Sequence, residues 1–126
     1  MNTDVFGSVT AGSCRCSTSC QEQILNVRLS GEIDQAGAAV VREQIDRAAE
    51  SCLPQTMMLD FSGVNFMDSS GIGLVMGRYR LMQTMGGELL VTGASPRIQR
   101  LMQMGGLDKL PIFGKNSGGM PPRQQR

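Results

Sequence analysis

The side chains of this chain that are best suited to chemistry lie in one short motif of Asp68, Ser69, Ser70 and Gly71. The motif follows an apolar run at 57–61 and precedes apolar positions at helical spacing. Aspartate and serine favour the start of a helix, because their side-chain oxygens accept hydrogen bonds from the free N–H groups of the first turn. The chain has no histidine, which excludes triads and other schemes that use imidazole as a base. A hydroxyl at a helix start without a nucleophile–base pair is better suited to being modified than to catalysis, so we do not expect an enzyme.

A purely structural interpretation of the motif also stays open. The motif would simply cap a core helix after a buried strand. A phosphate-binding loop is a poor alternative, because the Walker pattern ends in Gly-Lys-Ser/Thr and no lysine occurs between Met1 and Asp108. The apolar face of the expected helix consists of Ile72, Val75, Met76, Tyr79 and Met82.

Length and charge restrict the function classes. A chain of 126 residues accommodates one domain, without a signal peptide or a segment long enough to span a membrane. We therefore expect a cytoplasmic protein. Its 12 basic and 11 acidic residues nearly balance, and no basic cluster is interleaved with aromatic side chains. Binding to nucleic acid is not expected, and neither is a cofactor.

Four cysteines, Cys14, Cys16, Cys20 and Cys52, do not follow the paired spacing of zinc sites. On an extended segment, Cys14 and Cys16 would face the same side, so a strand facing the core explains them without a metal. We expect structural thiols, with metal binding or redox chemistry as the alternative. A cytosolic location argues against disulfides.

The pattern of apolar residues and breakers predicts an α/β domain at 14–113, between a flexible arm at 1–13 and a disordered basic tail at 114–126. The run at 57–61 is typical of a central strand that is covered on both faces. Ser95 and Pro96 form a good helix start. The predicted strands are 14–19, 24–30, 57–61, 88–92 and 110–113, and the predicted helices are 37–51, 69–85 and a third that starts after Ser95.

Parallel strands would bring the polar residues that follow them to one edge of the sheet, where functional loops of α/β proteins gather. The residues expected on this edge are Glu32, Asp34, Asp68, Ser69 and Ser95.

Several short motifs, in this order along the chain, resemble the anti-sigma factor antagonist family. Within the family the resemblance is strongest to the sporulation-type antagonist of the anti-sigma F factor, and it covers roughly residues 14–113. The motifs are LSGEID at 29–34, FMDSSGIG at 66–73, GRY at 77–79, GGE at 86–88 and SP at 95–96.

This resemblance implies a STAS domain, a small and mostly parallel sheet flanked by helices, with Ser69 as the phosphorylated serine. The unphosphorylated protein would bind a nucleotide-bound anti-sigma factor serine kinase and release the sigma factor. Phosphorylation by that kinase would end the interaction, and a PP2C-type serine phosphatase would restore it. The expected partner contacts are Glu32, Asp34, Asp68, Ser69, Ser70, Gly71 and Arg78.

Three of these expected contacts have alternatives. Glu32 and Asp34 fit solvated acids at a strand end equally well, and Arg78 fits a solvated helix residue. For the whole protein, the alternative is a scaffold or transporter-accessory STAS domain that binds its partner whether or not Ser69 carries phosphate. The loop at 35–38 is less polar than in the sporulation-type pattern, and the tail at 114–126 replaces the usual C-terminal helix.

Overall fold

A computed structural model describes residues 5–113 as one five-stranded sheet that is packed against helices. The strands lie in the sheet in the order in which they occur in the chain. They are β1 (Val5–Ala11), β2 (Cys14–Gln21), β3 (Ile24–Ile33), β4 (Thr56–Met67) and β5 (Glu88–Thr92). The β1–β2 and β2–β3 pairs are antiparallel, whereas β3–β4 and β4–β5 are parallel. The sheet is therefore mixed, and the prediction of a mostly parallel sheet is corrected in this respect.

The first strand was not predicted. β1 pairs with β2 over its whole length, and the turn between them contains Gly12 with a φ of 62°, a conformation that suits glycine. The expectation of a flexible arm at 1–13 is thus wrong for residues 5–11, while residues 1–4 lie outside the described residues. The serine, threonine and glycine residues of β1 give little apolar alternation, so the sequence carries no clear strand signal there. Pairing with β2 and packing beneath a helix hold the strand in place.

Three helices cover one face of the sheet. They are α1 (Gln35–Cys52), α2 (Ser69–Thr84) and α3 (Pro96–Met104), and a 3-10 helix at Leu107–Lys109 follows. α1 packs on β1, β2 and β3, and α2 packs on β4, on β5 and beside α1. The start of α3 agrees with the prediction, since Ser95 Oγ accepts a hydrogen bond from the backbone N–H of Ile98 at 3.2 Å and Pro96 is the first helical residue.

The opposite face of the sheet is open among the described residues. Along β4, the side chains of Met57, Leu59 and Phe61 are fully buried, but Met58 and Asp60 between them are partly exposed. Asp60 forms an ion pair at 3.6 Å with Arg28 on this face. The prediction that this strand is covered on both faces is therefore wrong, because hydrophobic Met58 alone made the run look continuous.

The end of the described chain differs from the expected strand at 110–113. Phe113 forms only a single parallel bridge with Val91, whose N–H donates to the carbonyl of Ile112 at 2.7 Å. The tail predicted at 114–126 lies outside the described residues. Within the described part of the chain, no helix is both long and apolar enough to cross a membrane.

The cysteines are divided between two states. Cys14 and Cys16 are free and buried, as expected for structural thiols. Cys20 and Cys52 form a disulfide, so the expectation that this chain lacks disulfides is wrong. Their separation of 32 residues gave no signal of proximity in the sequence. Among residues 5–113, no cluster of histidine, cysteine and acidic side chains is suited to a metal ion.

Candidate functional site

The starts of α1 and α2 lie side by side because the two strands that lead into them are parallel partners. Ile33 at the end of β3 is in register with Met67 at the end of β4. The backbone N–H of Asp68 donates to the carbonyl of Ile33 at 3.2 Å, which ties one helix start to the other. The sheet edge predicted from the sequence therefore brings Asp34 and Asp68 together.

At the start of α1, Asp34 is the N-cap in extended conformation, with φ −111° and ψ −174°. Its Oδ1 accepts a hydrogen bond from the N–H of Gly37 at 2.8 Å, and its carbonyl accepts from Ala38 at 2.8 Å. Gln35 and Ala36 are exposed at the first two helical positions. This helix start is capped by the Asp34 carboxylate and presents no hydroxyl.

At the start of α2, Asp68 is the N-cap with nearly the same backbone conformation, φ −104° and ψ −165°. Its Oδ1 accepts from the N–H of Ser70 at 2.8 Å, and its carbonyl accepts from Gly71 at 2.9 Å. Ser69 is the first helical residue and is exposed, whereas Ser70 is partly buried. The hydroxyl of Ser69 is therefore open to solvent at the positive end of a helix dipole, where an added negative charge is tolerated.

Glycine is favoured at position 71 because the side chain of Met67 on β4 lies close to it. A Cβ atom at Gly71 would lie 2.6 Å from the sulfur of Met67, which is itself buried. At Gly73, by contrast, a Cβ atom would meet nothing within 4 Å. Gly71 therefore lets the first turn of α2 sit directly on the end of β4, and Gly73 leaves open space on the helix surface.

A shallow groove of about 250 Å³ runs between α1 and α2 beside the motif. Arg42 supplies a positive charge to its wall, and Gly73 and the two alanines keep it open. Arg42 was not among the predicted site residues, because its helical spacing fits any solvated face of α1. The lining residues are Gln35, Ala38, Ala39, Arg42, Ser70, Gly73 and Leu74.

Arg78 does not belong to the exposed surface. Its side chain is 8% exposed and its Nε lies 3.0 Å from Asp46 Oδ1 on α1. Burial lowers the pKa of Arg78, and the charge of Asp46 opposes that effect. Burial also raises the pKa of Asp46, against the opposing charges of Arg78 and Arg42. The prediction that Arg78 contacts a partner is corrected, because this arginine joins α1 to α2.

Glu32 and Ser95 do not lie at the two capped helix starts of Asp34 and Asp68. Glu32 is exposed on β3 and in register with Phe66, which is 48% exposed. Since Ile33 and Met67 point into the core, Glu32 and Phe66 face the open side of the sheet next to the motif. Ser95 caps α3 after β5. Because β5 ends in register with Asp60, well before the end of β4 at Met67, Ser95 lies apart from the edge that Asp34 and Asp68 share.

Comparisons with known proteins identify a matching family and proteins of similar sequence and fold. Residues 16–118 match the family described as the STAS domain. The chain is 42% identical over 91 residues to an anti-sigma F factor antagonist of Paenibacillus polymyxa, covering 71% of this chain and 78% of the relative. The anti-sigma factor antagonist SpoIIAA in its unphosphorylated form superimposes with a TM-score of 0.65 at 25% identity, over 90% of this chain and 91% of that chain. The Bacillus cell fate determinant SpoIIAA in the phosphorylated form gives a TM-score of 0.59 at 25% identity, over 90% of this chain and 95% of that chain.

Proposed function

The chain belongs to the STAS domain family and is an anti-sigma factor antagonist, and we propose that phosphorylation of Ser69 switches its binding to an anti-sigma factor kinase. The observation that carries the proposal is the exposed hydroxyl of Ser69 at the first position of α2, directly after the Asp68 cap. The relative SpoIIAA occurs in an unphosphorylated and a phosphorylated form, which supports a switch of this kind.

The chain acts as the substrate in both directions of the switch. In the forward step, Ser69 Oγ attacks the γ-phosphorus of ATP bound to the kinase, the bond to ADP breaks, and the hydroxyl proton passes to a base of the kinase. In the reverse step, a PP2C-type serine phosphatase uses water to release inorganic phosphate and restore the hydroxyl. The chain needs no catalytic group of its own for either step.

The charge of the phosphate explains how binding is lost without a change of fold. Phosphorylation adds roughly −1.5 to −2 charges next to Asp68. In the free protein, the N–H groups and dipole of α2 stabilise this charge, and water solvates it. In the complex, the charge would be desolvated beside the Asp68 carboxylate. A penalty of about 2–3 kcal/mol would weaken binding roughly 30- to 150-fold.

The proposed partner surface consists of the two helix starts and the groove between them. Arg42 is added to the proposed contacts because it lines the groove with Ser70. Arg78 is removed from them because it is buried. The other proposed contacts are Glu32, Asp34, Asp68, Ser69, Ser70 and Gly71.

The proposal is tested by phosphorylating the chain with its kinase and ATP, purifying the product, and measuring binding to the kinase with ADP. One phosphate is expected on wild type and on a matched Ser70→Ala control, and none on Ser69→Ala. Unphosphorylated wild type and Ser69→Ala should bind alike, and phosphorylated wild type should bind at least about 30-fold more weakly. Equal binding with and without phosphate would instead indicate a phosphorylation-independent scaffold.

A further inference from the structure

The disulfide between Cys20 and Cys52 joins the end of β2 to the last residue of α1. Cys20 is 2% exposed, whereas Cys52 is partly exposed and is followed by Leu53, which is 67% exposed. The N–H of Gln55 donates to the carbonyl of Gln23 at 2.9 Å, close in sequence to both cysteines. This backbone hydrogen bond lies close to both cysteines, whose Cα atoms are 6.6 Å apart, within the range of disulfides.

Burial excludes the other two cysteines, Cys14 and Cys16, from thiol–disulfide exchange. Cys14 and Cys16 are at most 1% exposed on the same side of β2. Burial raises the pKa of both thiols, and the pKa of Cys16 rises to about 12. Since the thiolate is the reactive form, neither exchanges readily at neutral pH. Cys52 is the only one of the four cysteines with access from solvent, and Cys20 is its bonded neighbour.

We propose that Cys20 and Cys52 are a redox modification site that takes a low-molecular-weight disulfide as its oxidant. The thiolate of the more accessible Cys52 attacks the small disulfide, forming a mixed disulfide and releasing one small thiolate. The thiolate of Cys20 then attacks the sulfur of Cys52 and releases the second small thiolate. Two protons leave the protein, and its two electrons reduce the small disulfide to two thiols.

The position of the disulfide determines which part of the protein it affects. α1 has 18 residues, so its C-terminal end at Cys52 lies about 27 Å from its start beside Asp34. The bond closes a loop between residues 32 apart, which restricts the unfolded chain and stabilises the fold. Oxidation therefore raises stability while the two helix starts keep their geometry.

Reversal of the bond inside the cell rests on the proposed function, since an antagonist of anti-sigma factors acts inside the cell, where thiols are kept reduced. Formation of the bond does not rest on it. The two inferences can fail separately, because bond formation is measured on the purified chain without the kinase.

The test compares the full chain, reduced and then treated with oxidised glutathione, with the same chain after later addition of excess reduced glutathione. Intact mass should show the loss of two hydrogens, and peptide mapping should place the bond between Cys20 and Cys52. The Tm should rise by about 10 °C or more on oxidation and return on reduction. Amide hydrogen exchange should slow near Cys52 and stay unchanged at 69–71.

Cys52→Ser provides the matched variant, because this position is partly exposed and its substitution disturbs the core least. Its Tm in the presence of oxidised glutathione should equal its Tm under reducing conditions. A bond mapped to Cys14 or Cys16, a mixed disulfide that persists on Cys52, or an unchanged Tm on oxidation of wild type would overturn the proposal.

Discussion

The starts of α1 and α2 share the conformation of their aspartate caps and differ in chemistry. One begins with Asp34, Gln35, Ala36 and Gly37, the other with Asp68, Ser69, Ser70 and Gly71. Both caps are extended, and both carboxylates accept a backbone hydrogen bond at 2.8 Å. Only the second presents hydroxyls between the aspartate and the glycine. An aspartate-capped helix start thus occurs twice, and the Ser69 hydroxyl makes only the start of α2 suited to modification.

The largest effect on stability is expected from Arg78, which holds the two helices together. Replacing Arg78 with methionine leaves the partly buried carboxylate of Asp46 without its partner. We expect a loss of about 2 kcal/mol in the free energy of unfolding, below the range for fully buried pairs because Asp46 is 34% exposed. Urea denaturation measures this loss.

Arg47→Met is the control for this change. Arg47 and Glu43 form an exposed pair at 3.1 Å on the same helix, worth at most about 0.5 kcal/mol. Equal losses for the two variants would show that the Arg78–Asp46 pair does not join the helices in the way described.

The glycines at the third position of each helix should respond differently to alanine. Gly71→Ala places a methyl group against the buried side chain of Met67, which should cost about 1–2 kcal/mol in the free energy of unfolding. Gly37→Ala meets its nearest neighbour, the Cβ of Cys14, at 3.0 Å and should cost less. Gly73→Ala should instead stabilise α2 by about 0.5–1 kcal/mol, because nothing lies within 4 Å of its Cβ position.

These three variants are compared by urea denaturation under the same conditions. If Gly71→Ala were as stable as Gly73→Ala, the close contact between α2 and β4 would not constrain the motif.

Removing either aspartate cap should lower the free energy of unfolding equally, but only the removal of Asp68 should affect phosphorylation. Asp34→Ala and Asp68→Ala each remove one cap and should each cost about 1 kcal/mol in the free energy of unfolding. Only Asp68→Ala should slow phosphorylation at saturating kinase, because Asp68 fixes the helix turn that carries Ser69. Intact mass against time measures the rate, and an equal rate for the two variants would contradict this assignment.

Local chemistry allowed the sequence to predict much of this arrangement. The cap of α3 at Ser95 and Pro96, the start of α2 after Asp68, and β5 at Glu88–Thr92 each follow from a signal within a few neighbouring residues. The adjacency of the two helix starts followed from parallel pairing of β3 and β4.

Features that depend on distant contacts were missed. β1 carries little apolar alternation and is held by β2, and the Cys20–Cys52 bond joins residues that no local pattern connects. Arg78 looks like a solvated helix residue until the position of Asp46 on α1 is known. Each miss concerns a partner elsewhere in the chain, which composition and spacing do not reveal.

The comparison of the two helix starts is tested most directly by placing the same charge at the first position of each. Ser69→Glu and Gln35→Glu are measured for binding to the kinase with ADP, next to wild type. Ser69→Glu, which adds about half the charge of a phosphate, should weaken binding by about 5- to 12-fold, whereas Gln35→Glu, a charge on the same partner surface but at the helix start that carries no modified residue, should weaken it by a smaller factor of about threefold. Similar losses for both variants, or no loss at Ser69→Glu, would contradict the claim that the start of α2 carries the switch.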